Sequence, residues 1–208
     1  MYRFIIIALS SLLVSCSAHY AARRQLSDDE LRARQAIVEQ ASALWGTSDL
    51  RPLGPGFKND CSGFIQGLFG MSGYKIQYRH VRRNRSLSES LYLTLRDKGL
   101  TFNEGYPNIG DLAFFWNTVP SDRNAEGITH VALVEKVDED GTVHLLHYAS
   151  GRVSRLRMNL RHPRERADHS GRIINDYLRR SESGWPRRDF LAGNLFAAYG
   201  DLYRLVGR

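Results

Sequence analysis

The feature that most constrains the fold is a pair of apolar segments in the middle of the chain, separated by a short polar turn. The segments are residues 130–137 and 143–149, and the turn reads Asp-Glu-Asp-Gly over residues 138–141. Apolar, β-branched segments joined by a turn of this kind predict an antiparallel hairpin. A further strand is predicted over residues 112–116, so we expect a sheet in the second half of the chain.

Helices are predicted before this sheet. Ser27 can cap a helix with Glu30 at the capping-box position, and apolar residues then recur at helical spacing as far as Gly46. A second helix is predicted to start at Cys61 and a third to cover residues 87–98. Helices followed by antiparallel strands indicate an α+β fold.

One domain accounts for most of the chain. Its 208 residues, of which 42% are hydrophobic and 25% charged, are enough for one substantial core. The same composition excludes a collagen, a disulfide scaffold and a wholly disordered protein. We therefore expect a single domain over residues 27–208.

The N-terminus has the pattern of an export signal. A short basic start is followed by an apolar run of 11 residues, whereas a membrane span needs about 20. Residues 13–16 (Leu-Val-Ser-Cys) then resemble a bacterial lipobox, in which the cysteine accepts the lipid. We expect a signal peptide over residues 1–15, a tether over residues 16–26 and a lipid on Cys16. The alternative is an ordinary signal peptide that happens to contain a cysteine.

A lipid on Cys16 would make this an exported protein anchored to a membrane of the cell envelope. Two or more acyl chains on one cysteine attach a protein stably to a membrane. Ser17 follows the cysteine, which by resemblance to enterobacterial lipoproteins favours the periplasmic face of the outer membrane in a Gram-negative host.

The other cysteine, Cys61, has the setting of a nucleophile. If the first cysteine carries the lipid, no intramolecular disulfide is possible, and the unpaired thiol indicates either catalysis or a simple buried side chain. Asn59 or Asp60 is a good N-cap, which puts Cys61 in the first turn of its helix. Unpaired N–H groups and the helix dipole are expected there to lower the thiol pKa and to contribute to an oxyanion hole. The small Ser62 and Gly63 would let a substrate backbone approach closely.

A thiolate nucleophile needs a base, and the base needs an orienting group. Among the seven histidines, His130 opens the first strand of the hairpin. A four-residue loop puts His147 on the same face, two residues or about 7 Å along, and keeps His144 out of reach. A three-residue loop would turn His147 to the other face. His130 is therefore the candidate base and His147 the candidate orienting residue, with a structural role as the alternative.

Four blocks of sequence, in this order, resemble the NlpC-type papain-like peptidases of the cell wall, to which the CHAP amidases are related. The blocks are residues 59–65 (Asn-Asp-Cys-Ser-Gly-Phe-Ile), 110–115 (Gly-Asp-Leu-Ala-Phe-Phe), 129–134 (Thr-His-Val-Ala-Leu-Val) and 146–150 (Leu-His-Tyr-Ala-Ser). The resemblance covers about residues 28–154. It implies a papain-like core, in which a helix carrying the nucleophile packs on an antiparallel sheet carrying the base.

The same resemblance implies a chemistry. The activity that it implies is hydrolysis of an amide bond in peptidoglycan stem peptides. By position, Cys61 is the nucleophile, His130 the base and His147 the orienting residue, while Asp60 and Ser62 support the nucleophile and the oxyanion hole. No cofactor and no metal are implied, and we expect a monomer.

Three features depart from the family pattern. Residues 47–58 contain no tyrosine, although family members often supply an oxyanion-hole hydroxyl from this stretch. Residues 120–127 form a longer polar insertion than a minimal domain needs. A C-terminal extension begins at about residue 152. Within it, we expect the apolar side chains of residues 190–206 to pack in the core and the arginine-rich residues 152–188 to form a solvated face.

Other functions explain fewer of these residues. The net charge of +7 favours anionic partners, but the chain has no nucleic-acid-binding motif and the predicted anchor places it outside the cytoplasm. A metal site from His144 and His147 would need both ligands on one surface, whereas strand residues three apart face opposite ways. Because Cys61 precedes His130, the resemblance argues against the permuted branch, which contains lipid acyltransferases and has its histidine first. The remaining alternatives are a catalytically silent lipoprotein that binds or scaffolds peptidoglycan, and a thiol transferase or amidase on another substrate.

Overall fold

The computed structural model describes residues 24–81, 83, 85–119, 127–179 and 186–207. Within these residues, helices pack on a six-stranded antiparallel sheet, so the predicted α+β fold is confirmed. The helices are α1 (Asp28–Ala43), α2 (Cys61–Met71), α3 (Leu87–Arg96), α4 (Ala192–Leu195) and α5 (Leu202–Val206), with 3-10 turns at Arg51–Leu53 and Arg187–Phe190. The strands are β1 (Thr101–Phe102), β2 (Leu112–Trp116), β3 (Ile128–Val137), β4 (Thr142–Ala149), β5 (Arg152–Asn159) and β6 (Phe196–Gly200).

The first three helices begin where their capping residues predict. The side chains of Ser27, Asp60 and Ser86 each accept a hydrogen bond from a backbone N–H of the first turn that follows. Such caps satisfy donors that the helix itself leaves unpaired. α1, α2 and α3 therefore start next to residues that can be identified in the sequence.

The C-terminal extension is part of the sheet. The strand order is β1-β6-β2-β3-β4-β5, so β6, the last strand in the chain, lies between β1 and β2. β6 pairs with both neighbours, for example through Tyr199, which is opposite Phe102 on one side and Ala113 on the other. β5 forms the other edge. The region beyond residue 152 thus supplies two of the six strands described here.

The sheet is buried on both faces. On one face, which we call the helix face, Val131, Leu133 and Leu146 pack with residues of α1, α2 and α3. On the other, which we call the extension face, Ala132, Val134 and Leu145 pack with residues of the C-terminal extension. The extension contributes buried apolar side chains there and at the sheet ends, namely Leu191, Leu195, Tyr199 and Leu202. The predicted core-packing role of residues 190–206 is therefore confirmed.

Several arginines of the extension form surface ion pairs. Arg155 binds Glu135, and Arg172 binds Asp168; each arginine side chain is about half exposed. Exposed pairs of this kind contribute little to stability. The exposed arginine side chains agree with the predicted solvated face, but the segment as a whole is not solvated, because β5 buries Val153, Leu156 and Met158.

A buried ion cluster joins α1 to the end of the sheet at which β2 begins and β6 ends. The guanidinium of Arg34 is fully buried and donates to Asp111 at 2.7 Å, to Asp201 at 2.5 Å and to Glu30 at 2.9 Å. Asp111 precedes β2 and Asp201 caps α5. Burial raises the pKa of Asp111 to about 6, although Arg34 opposes this shift.

Several predictions concern residues outside the described ranges. They are the signal peptide over residues 1–15, the lipid on Cys16, the tether as far as residue 23 and most of the insertion over residues 120–127. In the part of the chain that is described, no helix has the length and apolar character needed to span a membrane.

Candidate active site

Cys61 is the first residue of α2, and its helix start is held by Asp60. One carboxylate oxygen of Asp60 accepts from the backbone N–H of Gly63 and from the hydroxyl of Ser62, both at 2.7 Å. This confirms the prediction that the cysteine lies in the first helical turn. Asp60 and Ser62 therefore hold the helix start at which Cys61 lies.

Gly63 is required for packing within the protein and not for the approach of a substrate. A Cβ atom at Gly63 would lie 2.4 Å from the Cβ of Lys58 and 2.7 Å from its backbone nitrogen. The loop before α2 occupies this space, so it is not open to a substrate. The expectation of close substrate approach at Gly63 is wrong, because the residue is small for packing against Lys58.

His130 and His147 are joined by a hydrogen bond. Nε2 of His130 lies 2.8 Å from Nδ1 of His147, and the two rings are nearly perpendicular at 86°. Both side chains are buried. The prediction that the hairpin brings these two imidazoles onto one face is confirmed.

The hairpin reaches this register by two compensating departures from the predicted one. Val137 pairs with Val143, so the loop is one residue longer than the predicted four-residue loop. The pairing then shifts by one between Val134 and Lys136, and beyond that point Leu133 pairs with Leu146 as predicted. A bulge of this kind absorbs one residue and restores the alternation of side chains. The predicted turn is therefore wrong and the predicted register near the histidines is right.

Both imidazoles are neutral at pH 7 in the folded protein. Burial lowers the pKa of His130 to about 4. Burial, followed by the nearby His130, lowers the pKa of His147 to about 3, and the charge of Asp176 only partly opposes this. Two neutral imidazoles share one N–H···N hydrogen bond, in which either ring can donate, and Nδ1 of His130 lies outside this bond.

The thiol and the candidate base line the same cavity. Its volume is about 440 Å³, and its lining residues are Asn59, Asp60, Cys61, Thr118, Val119, Thr129, His130, Tyr148, Ala149, Ser150, Gly151 and Leu178. His147 is not among these lining residues and contacts His130. The arrangement therefore presents one thiol and one imidazole to a ligand, with the second imidazole supporting the first.

The thiol of Cys61 has its closest side-chain partner on α3. Its Sγ lies 3.3 Å from the hydroxyl oxygen of Ser88, which is the one side-chain hydrogen bond of this thiol within the described residues. Nothing in the spacing of the sequence singled out Ser88. Its one visible signal is its place in the first turn of the helix that follows α2 along the chain.

The pKa of Cys61 is raised above its usual value. Burial is the main cause, and it outweighs the lowering effects of Ser88 and of the backbone N–H groups of Val131 and Ser62. The charge of Asp60 raises the pKa further. The predicted lowering by the helix terminus is therefore wrong for the resting protein, because removal from water dominates.

The C-terminal extension forms one wall of the cavity. Leu178 lines it, and the backbone N–H of Leu178 donates to the carbonyl of Phe190 at 2.9 Å. The next residue, Arg179, donates to the carbonyl of Asn117 at the end of β2 at 3.0 Å. The extension thus reaches the mouth of the site, which the sequence patterns did not reveal.

Tyr148 is the tyrosine that the structure places in this cavity. It comes from β4, and its hydroxyl donates to the backbone carbonyl of Ser48 at 2.6 Å. The hydroxyl is therefore engaged with the loop before α2. The backbone N–H groups at the start of that helix are therefore the candidate oxyanion donors.

The other histidines near the hairpin and α3 lie in ion pairs. His144 contacts Asp138 at 2.7 Å, and His80 contacts Asp97 at 2.5 Å. Across the described ranges, no group of three or more metal-ligating side chains occurs.

No protein-family model, curated protein or solved structure matches this chain. The papain-like interpretation and the activity therefore remain predictions, supported by the sequence motifs and by the geometry described above.

Proposed function

We propose that this protein is a cysteine hydrolase with a papain-like site that cleaves an amide bond in peptidoglycan stem peptides. The observation that carries the proposal is the hydrogen bond between His130 and His147 beside a cavity lined by Cys61. A nucleophile, a base and a group that orients the base are the parts that a thiol mechanism needs. These three parts come from α2, β3 and β4.

The proposed first half-reaction makes an acyl-enzyme. The proton of the Cys61 thiol passes to Nδ1 of His130, and the sulfur attacks the substrate carbonyl. Backbone N–H groups at the start of α2 stabilise the negative charge on the carbonyl oxygen. The imidazolium of His130 then gives its proton to the leaving amine, and the C–N bond breaks.

The second half-reaction regenerates the thiol. His130 takes a proton from a water molecule, which attacks the thioester, and then returns that proton to the sulfur. His147 acts through His130. When Nε2–H of His130 donates to Nδ1 of His147, Nδ1 of His130 keeps the lone pair that accepts the proton of the thiol. The hydrogen bond therefore selects both the ring orientation and the tautomer.

The substrate class follows from the sequence motifs and from the surface. The four motif blocks resemble cell-wall peptidases, and the net charge of +7 attracts anionic wall polymers. The cavity walls include uncharged side chains from Thr118, Val119, Thr129 and Leu178. Export, attachment through a lipid on Cys16, a monomeric state and the absence of a nucleic-acid partner belong to the same proposal.

The test compares the full chain with Cys61→Ala. Each protein, purified in mild detergent, is incubated with peptidoglycan sacculi of several chemotypes, and released fragments are identified by mass spectrometry. We expect fragments from the wild type and none from Cys61→Ala. Cys16→Ser is the matched control, because it alters the other cysteine and is expected to release the same fragments.

The second candidate is a peptidoglycan-binding protein without hydrolase activity. The observation that favours it is the thiol of Cys61, whose pKa is raised by burial. Equal binding of sacculi by the wild type and Cys61→Ala, with no fragments from either, would contradict the hydrolase and support this candidate.

A further inference from the structure

The start of α3 is bound to the start of β3, next to the candidate base. The hydroxyl of Ser86 donates to the backbone carbonyl of Ile128 at 2.8 Å and accepts from the N–H of Glu89 at 3.0 Å. The first turn of α3 is therefore held at a defined place beside β3.

Ser88 lies in that first turn and contacts the nucleophile. It is buried, with 2% of its surface exposed, and its hydroxyl oxygen lies 3.3 Å from Sγ of Cys61. While the thiol keeps its proton, either group can be the donor. After the thiol loses its proton, only the hydroxyl can donate, and hydrogen bonds to a charged acceptor are the stronger ones. The contact therefore favours the thiolate over the thiol.

We infer that Ser88 is a positioning residue, whose hydroxyl holds the Cys61 thiol at rest and donates to the thiolate once the proton has passed to His130. The inference rests on the proposed function, because it assigns Ser88 to the same site. Neither the sequence motifs nor the resemblance assigns a role to this residue.

The charged and titratable groups around the thiol are the same in every variant used below. Asp60 faces it from the cap of α2, and His130 faces the shared cavity from β3. On α3, Glu89 pairs with Arg85 at 3.1 Å. A change at Ser88 therefore removes a hydroxyl and no charge.

Ser90 provides a matched control on the same helix. It is fully buried, and its hydroxyl donates to the backbone carbonyls of Ser86 and His80 at 3.1 and 3.2 Å. It makes no hydrogen bond with Cys61 within the described residues. Ser90→Ala therefore removes a buried serine hydroxyl without changing the environment of the thiol.

The experiment measures how fast iodoacetamide alkylates Cys61 as a function of pH. The full chain is used, and mass spectrometry of the peptide containing Cys61 separates this thiol from any other. We expect Ser88→Ala to move the pH midpoint of alkylation upward by about one unit, the size of one hydrogen bond to a charged group. Ser90→Ala is expected to leave the midpoint unchanged, and Ser88→Thr to restore it.

An unchanged midpoint in Ser88→Ala would overturn the inference, as would equal shifts in Ser88→Ala and Ser90→Ala. If Ser88→Ala does not fold, Ser88→Val is compared with Ser88→Thr, since the two side chains have nearly the same shape and only threonine carries the hydroxyl. The variant without the hydroxyl is then expected to show the same upward shift of the midpoint. An unchanged midpoint would again overturn the inference.

Alkylation needs no substrate, so the inference and the proposed function can fail separately. A shifted midpoint in a protein that releases no fragments from sacculi would support Ser88 as the partner of the thiol and contradict the hydrolase. Fragment release together with an unshifted midpoint would support the hydrolase and contradict the role of Ser88.

Discussion

The two faces of the sheet supply different halves of the candidate site and are built from different parts of the chain. The helix face contributes Cys61 and Ser88, which lie in the first turns of α2 and α3. The extension face carries His130 and His147, which lie in β3 and β4. The other buried side chains of β3 and β4 on this face pack against the C-terminal extension. The nucleophile is thus placed by local capping, whereas the imidazole pair depends on strand pairing and on chain that follows much later.

This difference appears in the chemistry of the two halves. Cys61 is partly exposed in the cavity, whereas His130 and His147 have only 7% and 5% of their surface exposed. Burial favours the neutral form of each group, so it raises the pKa of the thiol and lowers that of both imidazoles. The resting site therefore holds a neutral thiol and a neutral imidazole, and in the proposed mechanism charge separates only as the reaction begins.

The largest expected effect separates the histidines of the site from those of the surface. His130→Ala removes the proposed base, and we expect turnover of sacculi to fall by about 10³-fold. His147→Ala is expected to cost less, about 10-fold to 100-fold, because the base remains but loses its orientation. His144→Ala, at the ion pair with Asp138, is the matched control and should keep near wild-type turnover. Equal losses in all three variants would contradict the assignment.

Two adjacent residues of β4 test whether the faces are equally well packed. Leu145 faces the extension, Leu146 faces the helices, and both are fully buried. Each substitution to alanine should lower the free energy of unfolding by about 2–5 kcal/mol. Urea denaturation of both variants gives the comparison. A far smaller loss for Leu145→Ala would show that the extension packs loosely on the sheet.

The buried histidines predict a pH dependence of stability. Their folded pKa values of about 4 and about 3 lie below the unfolded value of about 6.5. Below pH 6.5 the unfolded chain therefore binds more protons, so stability is fully present above that pH and is lost as the pH falls. Each histidine accounts for a loss of about 2 kcal/mol at pH 5.

His147→Asn removes one of these contributions and keeps a polar side chain. Denaturation at pH 7 and pH 5 should show that the variant loses about 2 kcal/mol less than the wild type over this range. Asp111, whose pKa is raised, acts in the opposite direction in both proteins and cancels in the difference. Equal losses would mean that His147 titrates normally in the folded protein.

The smallest expected effect compares two helix caps. Ser86 both caps α3 and binds Ile128, whereas Ser27 caps α1 at an exposed position with a 3.3 Å contact. We expect Ser86→Ala to cost about 1–2 kcal/mol and Ser27→Ala about 0.5–1 kcal/mol in thermal denaturation. The reverse order would show that the link between α3 and β3 contributes nothing to stability.

The helix starts and the central hairpin could be predicted because their signals are local. Ser27, Asp60 and Ser86 are capping residues that act within one turn, and the alternation along β3 and β4 repeats every two residues. The turn was predicted one residue too short, since a bulge near Glu135 leaves no mark in the pattern. β1, β5 and β6 were missed. β1 is short, β5 lies in the arginine-rich segment, and β6 follows an irregular segment.

Some residues of the candidate site could likewise be identified from the sequence, and others only from the structure. Cys61, His130, His147 and Asp60 were identified from residue type and spacing, and the structure brings them together around one cavity and one hydrogen bond. Ser88 and Leu178 were missed. Neither has a distinctive residue type, and each reaches the site only through the packing of an element that carries no motif.

By itself, the sequence determined where three helices begin, which residues face each other near the histidines and which groups have the chemistry of a thiol site. Capping and side-chain alternation depend on neighbours only a few residues away, so they can be read from a single chain. Only the tertiary structure decided that β6 lies between β1 and β2, that Ser88 contacts the thiol and that the thiol is neutral at rest. Strand order and burial depend on residues far apart in the chain, because apolar surface is removed from water only when distant segments pack together.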